Sequence, residues 1–344
     1  LKLAATNLDI GITHWIDAKV ETEGAITVPA RQLTDYVNSL PPDRIEIELN
    51  TRTQTLHLKC ARYDANIKGV DASEFPIIPT IGDSHDPNAG AANKITIEPD
   101  VLREMIEQTS VAAATDDSRP VLTGVFARFD KNGVTFAAAD GFRLSIRSAV
   151  LASPVTTPVT VIIPARALNE VSRIIGDQEE PVELAITDNR SQVLFHLKRT
   201  DMVSQLIDGN FPDVNQIVPK SHTTKTVMNT SDLQSAVKAA SVFAREASNI
   251  VRLNITPTNE MGAGKVVIAA TSAETGDNVG EIDAQVNGDP VEIAFNARFM
   301  SDVLNVLHAP QVLLETSSAA SPGVLKPVGR EDFTHVIMPM HIGR

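Results

Sequence analysis

Val161-Ile162-Ile163-Pro164-Ala165-Arg166-Ala167-Leu168 occurs in two further versions along the chain. Ile26-Thr27-Val28-Pro29-Ala30-Arg31-Gln32-Leu33 precedes it, and Ile293-Ala294-Phe295-Asn296-Ala297-Arg298-Phe299-Met300 follows it. The arginines are spaced by 135 and 132 residues. A second set, Ala4-Ala5-Thr6-Asn7, Ala137-Ala138-Ala139-Asp140 and Ala269-Ala270-Thr271-Ser272, is spaced by 133 and 132. Phe75-Pro76 and Phe211-Pro212 are 136 apart. Matches at nearly one offset mark a unit present three times.

Each copy reads as a short β-rich run followed by an amphipathic helix. Pro29 and Pro164 fall where a first helical turn needs no N–H, and Asn296 takes that place as an N-cap. The apolar stripes are Leu33, Tyr36, Val37 and Leu40; Leu168, Val171 and Ile175; and Met300, Val303, Leu304 and Leu307. Spacing at i, i+3, i+4 and i+7 puts each set on one buried face. A second helix opens the later copies, with Leu102, Ile106 and Val111 after Pro99-Asp100, and Leu233, Val237 and Ala240 after Thr230-Ser231-Asp232. The same offset carried back from Leu102 falls before Leu1, so the first copy is read as lacking its opening strand and helix.

The rest alternates as short strands, such as Ile45–Leu49, Val193–Leu197 and Val266–Ala270, with turn signals at Lys131-Asn132-Gly133 and Asp140-Gly141. The fold class is α+β with three repeated domains, expected over 1–88, 94–219 and 224–344. Gly82–Asn93 reads as the main linker and Pro219–Thr224 as the next.

The 344 residues carry a formal net charge of −13. Such acidity opposes a non-specific nucleic-acid binder. The charge is unevenly spread. The helical windows 31–40, 101–110, 166–175, 232–247 and 298–307 sum to zero over 56 residues, so the other 288 hold the whole excess. A face built from these helices repels phosphate far less than the remainder, with Arg103, Arg173, Lys238 and Arg245 available to it. For any single one of these cations, a solvated helix surface is the simpler account.

No apolar run approaches the ~20 residues of a membrane helix, and the N-terminus has no signal-peptide pattern. The single cysteine, Cys60, excludes an internal disulfide or a cysteine zinc site and reads as a small core residue in a strand. No phosphate loop, dinucleotide fingerprint, His-Glu-x-x-His or nucleophile elbow is present. Asp140-Gly141-Phe142-Arg143 reads as a tight turn rather than an acid beside a cation. Asp116-Asp117 reads as an acidic loop rather than a metal pair.

Ala137–Leu144, Leu206–Pro219, Phe243–Leu253 and the terminal Val336–Met340 resemble, in order and on the corresponding repeats, the β subunit of bacterial DNA polymerase III, the sliding-clamp family. The resemblance spans the chain apart from the start of the first unit. It implies antiparallel sheets outside and helices lining a ring closed by a head-to-tail homodimer. It also implies sequence-independent contact with double-stranded DNA and no cofactor, catalysis or membrane. Arg103, Arg119, Arg173 and Lys238 would face the DNA, and Val242 and Phe243 the dimer partner. A peptide-binding cleft between the second and third units would be lined by Leu122, Gly141, Arg143, Leu144, Pro212, Ile217, Val336, Met338, Pro339 and Met340. Its partners would be the DNA polymerase III alpha subunit, the clamp loader, repair polymerases and mismatch-repair proteins, in the cytoplasm. Phe142 stands where His is frequent, Gln216 where a basic residue is frequent, and His341 where Arg is common, with Gly343-Arg344 beyond. Two other readings stay open from the residues: a triplicated protein-binding scaffold that never encircles DNA, and an enzyme with a site around Asp140 and Arg143.

Overall fold

The structure is a computed structural model and describes residues 1–81, 94–246, 248–258 and 263–341. The expected linker Gly82–Asn93 and the terminal Gly343-Arg344 lie outside the described residues.

The first unit contains β1 (Lys2–Thr6), β2 (Ile10–Trp15), β3 (Ile26–Thr27), α1 (Ala30–Ser39), β4 (Ile45–Asn50), β5 (Thr55–Cys60), β6 (Tyr63–Lys68) and β7 (Val70–Asp71). The second contains β8 (Lys94–Ile97), α2 (Pro99–Ser110), β9 (Gly124–Phe129), β10 (Gly133–Ala139), β11 (Arg143–Val150), β12 (Val159–Pro164), α3 (Ala165–Ile175), β13 (Val182–Ile186), β14 (Gln192–Leu197), β15 (Thr200–Gln205) and the one-turn α4 (Val214–Ile217). The third contains β16 (Thr224–Asn229), α5 (Thr230–Ala244), β17 (Ile250–Pro257), β18 (Ala263–Ser272), β19 (Gly276–Gly288), β20 (Val291–Asn296), α6 (Ala297–Val306), β21 (Gln311–Thr316), β22 (Gly323–Pro327) and β23 (Phe333–Ile337).

The repeat is therefore strand, helix, four strands, helix, three strands. The second and third units show all of it. Every strand pair among the described residues is antiparallel. In these two units the paired helices, α2 with α3 and α5 with α6, pack together. Leu102, Met105, Ile106, Leu168, Val171 and Ile175 meet one strand core, and Leu233, Val237, Met300, Val303 and Leu304 meet the other.

The units are welded by β-pairing. Strand β2 of the first unit pairs with β15 of the second, Gly11 opposite Val203. Strand β11 of the second pairs with β23 of the third, Leu144 opposite Val336. A six-stranded sheet, β1-β2-β15-β14-β13-β8, crosses the first junction. A twelve-stranded sheet crosses the second, with β12-β9-β10-β11 continuing into β23-β22-β21-β16 and onward to β20.

Several local expectations shift in detail. Pro29 and Pro164 are N-cap residues with extended ψ of 113° and 128°, one position before the helices they introduce. Asn296 caps α6 as expected, its side chain accepting from the Arg298 amide. Val111 falls just beyond α2, which ends at Ser110, and Met105 and Ala112 are the buried residues there. No residue of α1 is buried. Leu33 and Tyr36 are half-buried against Leu56, Leu58 and Ile67, whereas Val37 is 38% exposed. Cys60 is buried, its thiol pointing at the Pro41 carbonyl. Gly288 meets a real constraint: it has φ 125°, and a Cβ there would lie 2.0 Å from the Thr223 carbonyl oxygen.

Candidate peptide-binding groove

Alternation along β11 and β23 gives the second junction two different faces. Leu144 and Ile146 point away from the helices. So do Val324 on β22, Val336 on β23, and Ala137 and Ala139 on β10. Phe126, Phe211, Val214, Ile217 and Val218 pack onto this patch, with the Phe126 and Phe211 rings 5.4 Å apart. The result is an apolar floor made jointly by two units and flanked by the Phe211–Val218 segment. Asp213 caps the short α4 through the Asn215 amide, which turns Val214 and Ile217 toward the sheet.

Of the ten residues expected to line a cleft, Leu144, Val336 and Ile217 meet in this cluster. Leu122 is buried in the one-turn 3-10 helix Pro120–Thr123, which leads into β9. Pro212 is exposed beside Phe211. Met338 is 42% exposed, and Pro339 and Met340 are half-buried. The terminal segment is anchored at two points. The Met338 amide donates to the Phe142 carbonyl at 2.8 Å, and the Met340 amide donates to the Ala294 carbonyl at 2.8 Å.

Asp140-Gly141-Phe142 forms the β10–β11 turn and one rim of the floor. The Asp140 carboxylate accepts from the Phe142 and Arg143 amides at 2.8 and 3.0 Å. Gly141 has φ 94°, and a Cβ there would meet the Arg119 guanidinium at 2.9 Å. Phe142 is 59% exposed at the lip. Gln216 and His341, the other two departures, are also exposed.

Arg143 turns the other way from Leu144. Its guanidinium lies on the helix side, donating to Asp140 at 3.0 Å and to Asp302 of α6 at 2.6 Å, and it stacks over the Phe299 ring at 4.2 Å. It braces the rim instead of paving the floor. Ser145 and Arg147 share that face. Ser145 Oγ lies 2.6 Å from His335 Nδ1. Arg147 donates to Glu104 at 2.9 Å and pairs with Asp332. Arg330 makes a two-pronged pair with Glu104 at 2.9 and 3.1 Å. Burial pushes the Glu104 carboxyl up, but its bonds to Arg330 and Arg147 outweigh this and hold it at about 2. His335 is fully buried, and burial, reinforced by Arg143, pushes it down to about 3.

The expected DNA-facing cations are scattered in their contacts. Arg119 donates to the Asp140 carbonyl at 2.9 Å and so touches the groove rim. Arg103 bonds Asp100 at 3.0 Å and the Gly176 carbonyl. Arg173 pairs with Glu170 at 2.5 Å. Lys238 and Arg245 are exposed on α5 and at its C-cap. Near the α5 C-terminus, Val242 is 61% exposed, and Phe243 is half-buried against the third unit's core.

Sequence reasoning missed Phe126, Phe211, Val214, Val218 and Val324 as groove residues. Phe126 and Val324 carry period-2 alternation in strands, which gives the face but not what covers it. Phe211 and Val214 adjoin the repeated Phe-Pro signal, which pointed to the segment. At the 136-residue offset of the Phe-Pro pairs, Ile78 and Ile81 stand where Val214 and Ile217 do, so the same segment packs on the outer face of both junctions. Gly11 stands where Leu144 does, and a Cβ there would be 2.9 Å from Val203 and 3.0 Å from Ile78. At the first junction the chain's own Ile78 and Ile81 cover Ala185, Leu194 and Val203.

Asp116 accepts from the Ser118 amide in a loop. Among the described residues no group of three or more His, Cys, Asp or Glu side chains is placed to hold a metal ion. Among them, too, no helix is long and apolar enough to cross a membrane.

Three family descriptions match the chain in order: DNA polymerase III beta subunit, N-terminal domain, over 1–79; central domain, over 96–213; and C-terminal domain, over 215–341. The Beta sliding clamp of Bacillus subtilis is 32% identical over 93% of this chain and 81% of its own length. That of Synechococcus elongatus is 29% identical over 99% and 88%. The crystal structure of the DNA polymerase sliding clamp from Bacillus subtilis superposes with a TM-score of 0.88 at 30% identity, covering 99% of this chain and 88% of that one. The chain belongs to the DNA polymerase III beta subunit family, the sliding clamps.

Proposed function

We propose that the protein works as a head-to-tail ring dimer around duplex DNA. It tethers the replicative polymerase and other replication and repair proteins, the clamp loader among them, through the groove between its second and third units. It does so in the cytoplasm, as a non-catalytic subunit of three domains spanning 1–88, 94–219 and 224–344.

The observation that carries the tethering half is the floor of Leu144, Val324 and Val336 with Phe211 and Ile217 beside it. Aliphatic and aromatic side chains with an exposed Met338 at the lip suit short hydrophobic peptides of varied sequence.

Ring closure is supported by the pairing rule inside the chain. At both internal junctions the strand after the Ala-rich one, β2 or β11, pairs with the last strand of the next unit, β15 or β23. The copies left over are β19 and β6. Strand β6 ends its three-stranded sheet, and β16 covers β19 only from Gln285 to Gly288, so Gly276–Ala284 keeps a free edge. A second copy would repeat the junction by pairing these edges. The repeat offset between Leu102 and Leu233 puts Val242 of α5 in the place of Val111, beside the Gln108 that bonds α6 across the second junction. Val242 and Phe243 then face the partner's first unit.

DNA contact would be through phosphates, with Arg103, Arg119, Arg173 and Lys238 as candidates and no base readout, which lets the ring slide.

The test of the tethering half is fluorescence polarisation with a labelled short hydrophobic clamp-binding peptide. Saturable binding to the intact chain, weakened about tenfold or more on Met338→Asp in a protein that still melts cooperatively, is the expected result. Binding unaffected by this change puts the partner elsewhere.

A further inference from the structure

We infer that Asp302 and Phe299, on helix α6 of the third unit, are positioning residues for the groove: they hold Arg143, which holds the Asp140-Gly141-Phe142 rim. The inference rests on reading the groove as the partner site.

The connection is continuous. The Asp302 carboxylate accepts from Arg143 Nη1 at 2.6 Å, and the Phe299 ring lies under the guanidinium at 4.2 Å. Arg143 Nε donates to the Asp140 carboxylate at 3.0 Å, and that carboxylate also binds the Phe142 amide at 2.8 Å. The Phe142 carbonyl receives the Met338 amide at 2.8 Å. A side chain on one unit's helix is thus linked, through one arginine and one turn, to both lips of the groove. The arginine's side chain is only 10% exposed, while Asp302 keeps 40%.

The first junction does without such a brace. By the 133-residue repeat spacing the counterpart of Arg143 is Ile10, which packs on the second unit's core. A hydrophobic residue therefore suffices to join two units in this fold. Burying an ion pair gains little stability over a hydrophobic contact, because desolvation offsets the attraction. What the pair adds is direction: a guanidinium fork fixes its partners' geometry in a way an aliphatic contact does not. The charged version stands at the junction whose outer face is a groove. At the other junction Ile78 and Ile81 pack on the corresponding face as Val214 and Ile217 do here, and the arginine brace is what sets the two junctions apart.

The experiment uses the full chain as wild type, Asp302→Ala, Asp302→Glu and Phe299→Leu. Two quantities are read: peptide affinity by fluorescence polarisation, and the hydrogen-exchange rate of the Met338 amide by NMR. Asp302→Ala is expected to weaken peptide binding about tenfold and to speed Met338 exchange by a similar factor, the scale of one charge-assisted bond. The melting temperature and the exchange of core amides such as Val171 should stay as in wild type. Asp302→Glu should restore part of both, and Phe299→Leu should show a smaller loss of both. Unchanged Met338 exchange in Asp302→Ala and Phe299→Leu overturns the inference, as does faster exchange with unchanged affinity. Failure of the wild-type chain to bind any peptide contradicts the groove's assignment alone, and the exchange rate then still decides whether Asp302 holds the rim.

Discussion

Leu144 of β11 stands directly opposite Val336 of β23, each 1% exposed, at the register that joins the second unit to the third. Their backbones seal the junction and their side chains form the floor of the apolar patch, so under the proposed function stability and recognition share the same atoms. Leu144→Ala should lower the unfolding free energy by about 2–5 kcal/mol, the usual cost of an emptied core site. Urea unfolding followed by circular dichroism measures it, and a loss below about 1 kcal/mol would mean that the groove closes over the gap.

Met338 separates the two roles. It is 42% exposed and contributes its side chain to the lip. Met338→Ala should leave stability within about 0.5 kcal/mol of wild type, as for a surface change. Peptide affinity should fall about fivefold, as expected for losing an apolar contact of modest area. Equal affinities measured by fluorescence polarisation would remove Met338 from the binding surface.

Glu104 holds together Arg147, whose side chain is 5% exposed, and Arg330, 33% exposed. Glu104→Gln leaves the nearly buried Arg147 guanidinium with Asp332 as its remaining carboxylate and should cost about 3 kcal/mol, the low end for breaking a buried pair. The carboxyl's folded value, about 2, lies below its ordinary 4.5. Its contribution is therefore complete above pH 4.5 and fades as the pH falls from there toward 2. In that window the unfolding free energy of Glu104→Gln should fall less steeply than that of wild type, and parallel curves would contradict the assignment.

His335 acts in a different pH range. It is fully buried and held at about 3, against an ordinary 6.5. The unfolded chain takes up a proton below pH 6.5 that the folded chain refuses. The folded state is unaffected above pH 6.5 and loses roughly 1.4 kcal/mol for each pH unit below it, from this group alone, until the folded value is reached. His335→Asn should flatten the fall in melting temperature between pH 6.5 and pH 5. A variant whose melting temperature drops as steeply as that of wild type would show that His335 takes up a proton in the folded protein.

The three-unit architecture was legible because it repeats. Arg31, Arg166 and Arg298 mark one structural position three times, and the buried stripes on α3 and α6 follow the helical period. Leu144 and Val336 were legible through the family's motifs as residues of the second junction, where the structure sets them opposite each other. The direction of Arg143 was not legible. Strand alternation says that it opposes Leu144, but nothing local says that Phe299 and Asp302, more than 150 residues away, wait on the other side. The same holds for Arg119, which reads as a free cation until the Asp140 carbonyl appears beside it. Weak burial on α1 also escaped, since its stripe of Leu33, Tyr36 and Val37 has the same period as the others while no residue of that helix is buried.

The most direct test of the central claim is topological. The protein is loaded onto a nicked circular duplex with a clamp loader and ATP, and the DNA is then separated by gel filtration before and after linearisation. Protein that co-elutes with the circle and is released when a single cut gives it an end to slide from is the expected result. Retention that survives linearisation would mean that the chain holds DNA by direct attachment, and the encircling ring would be wrong.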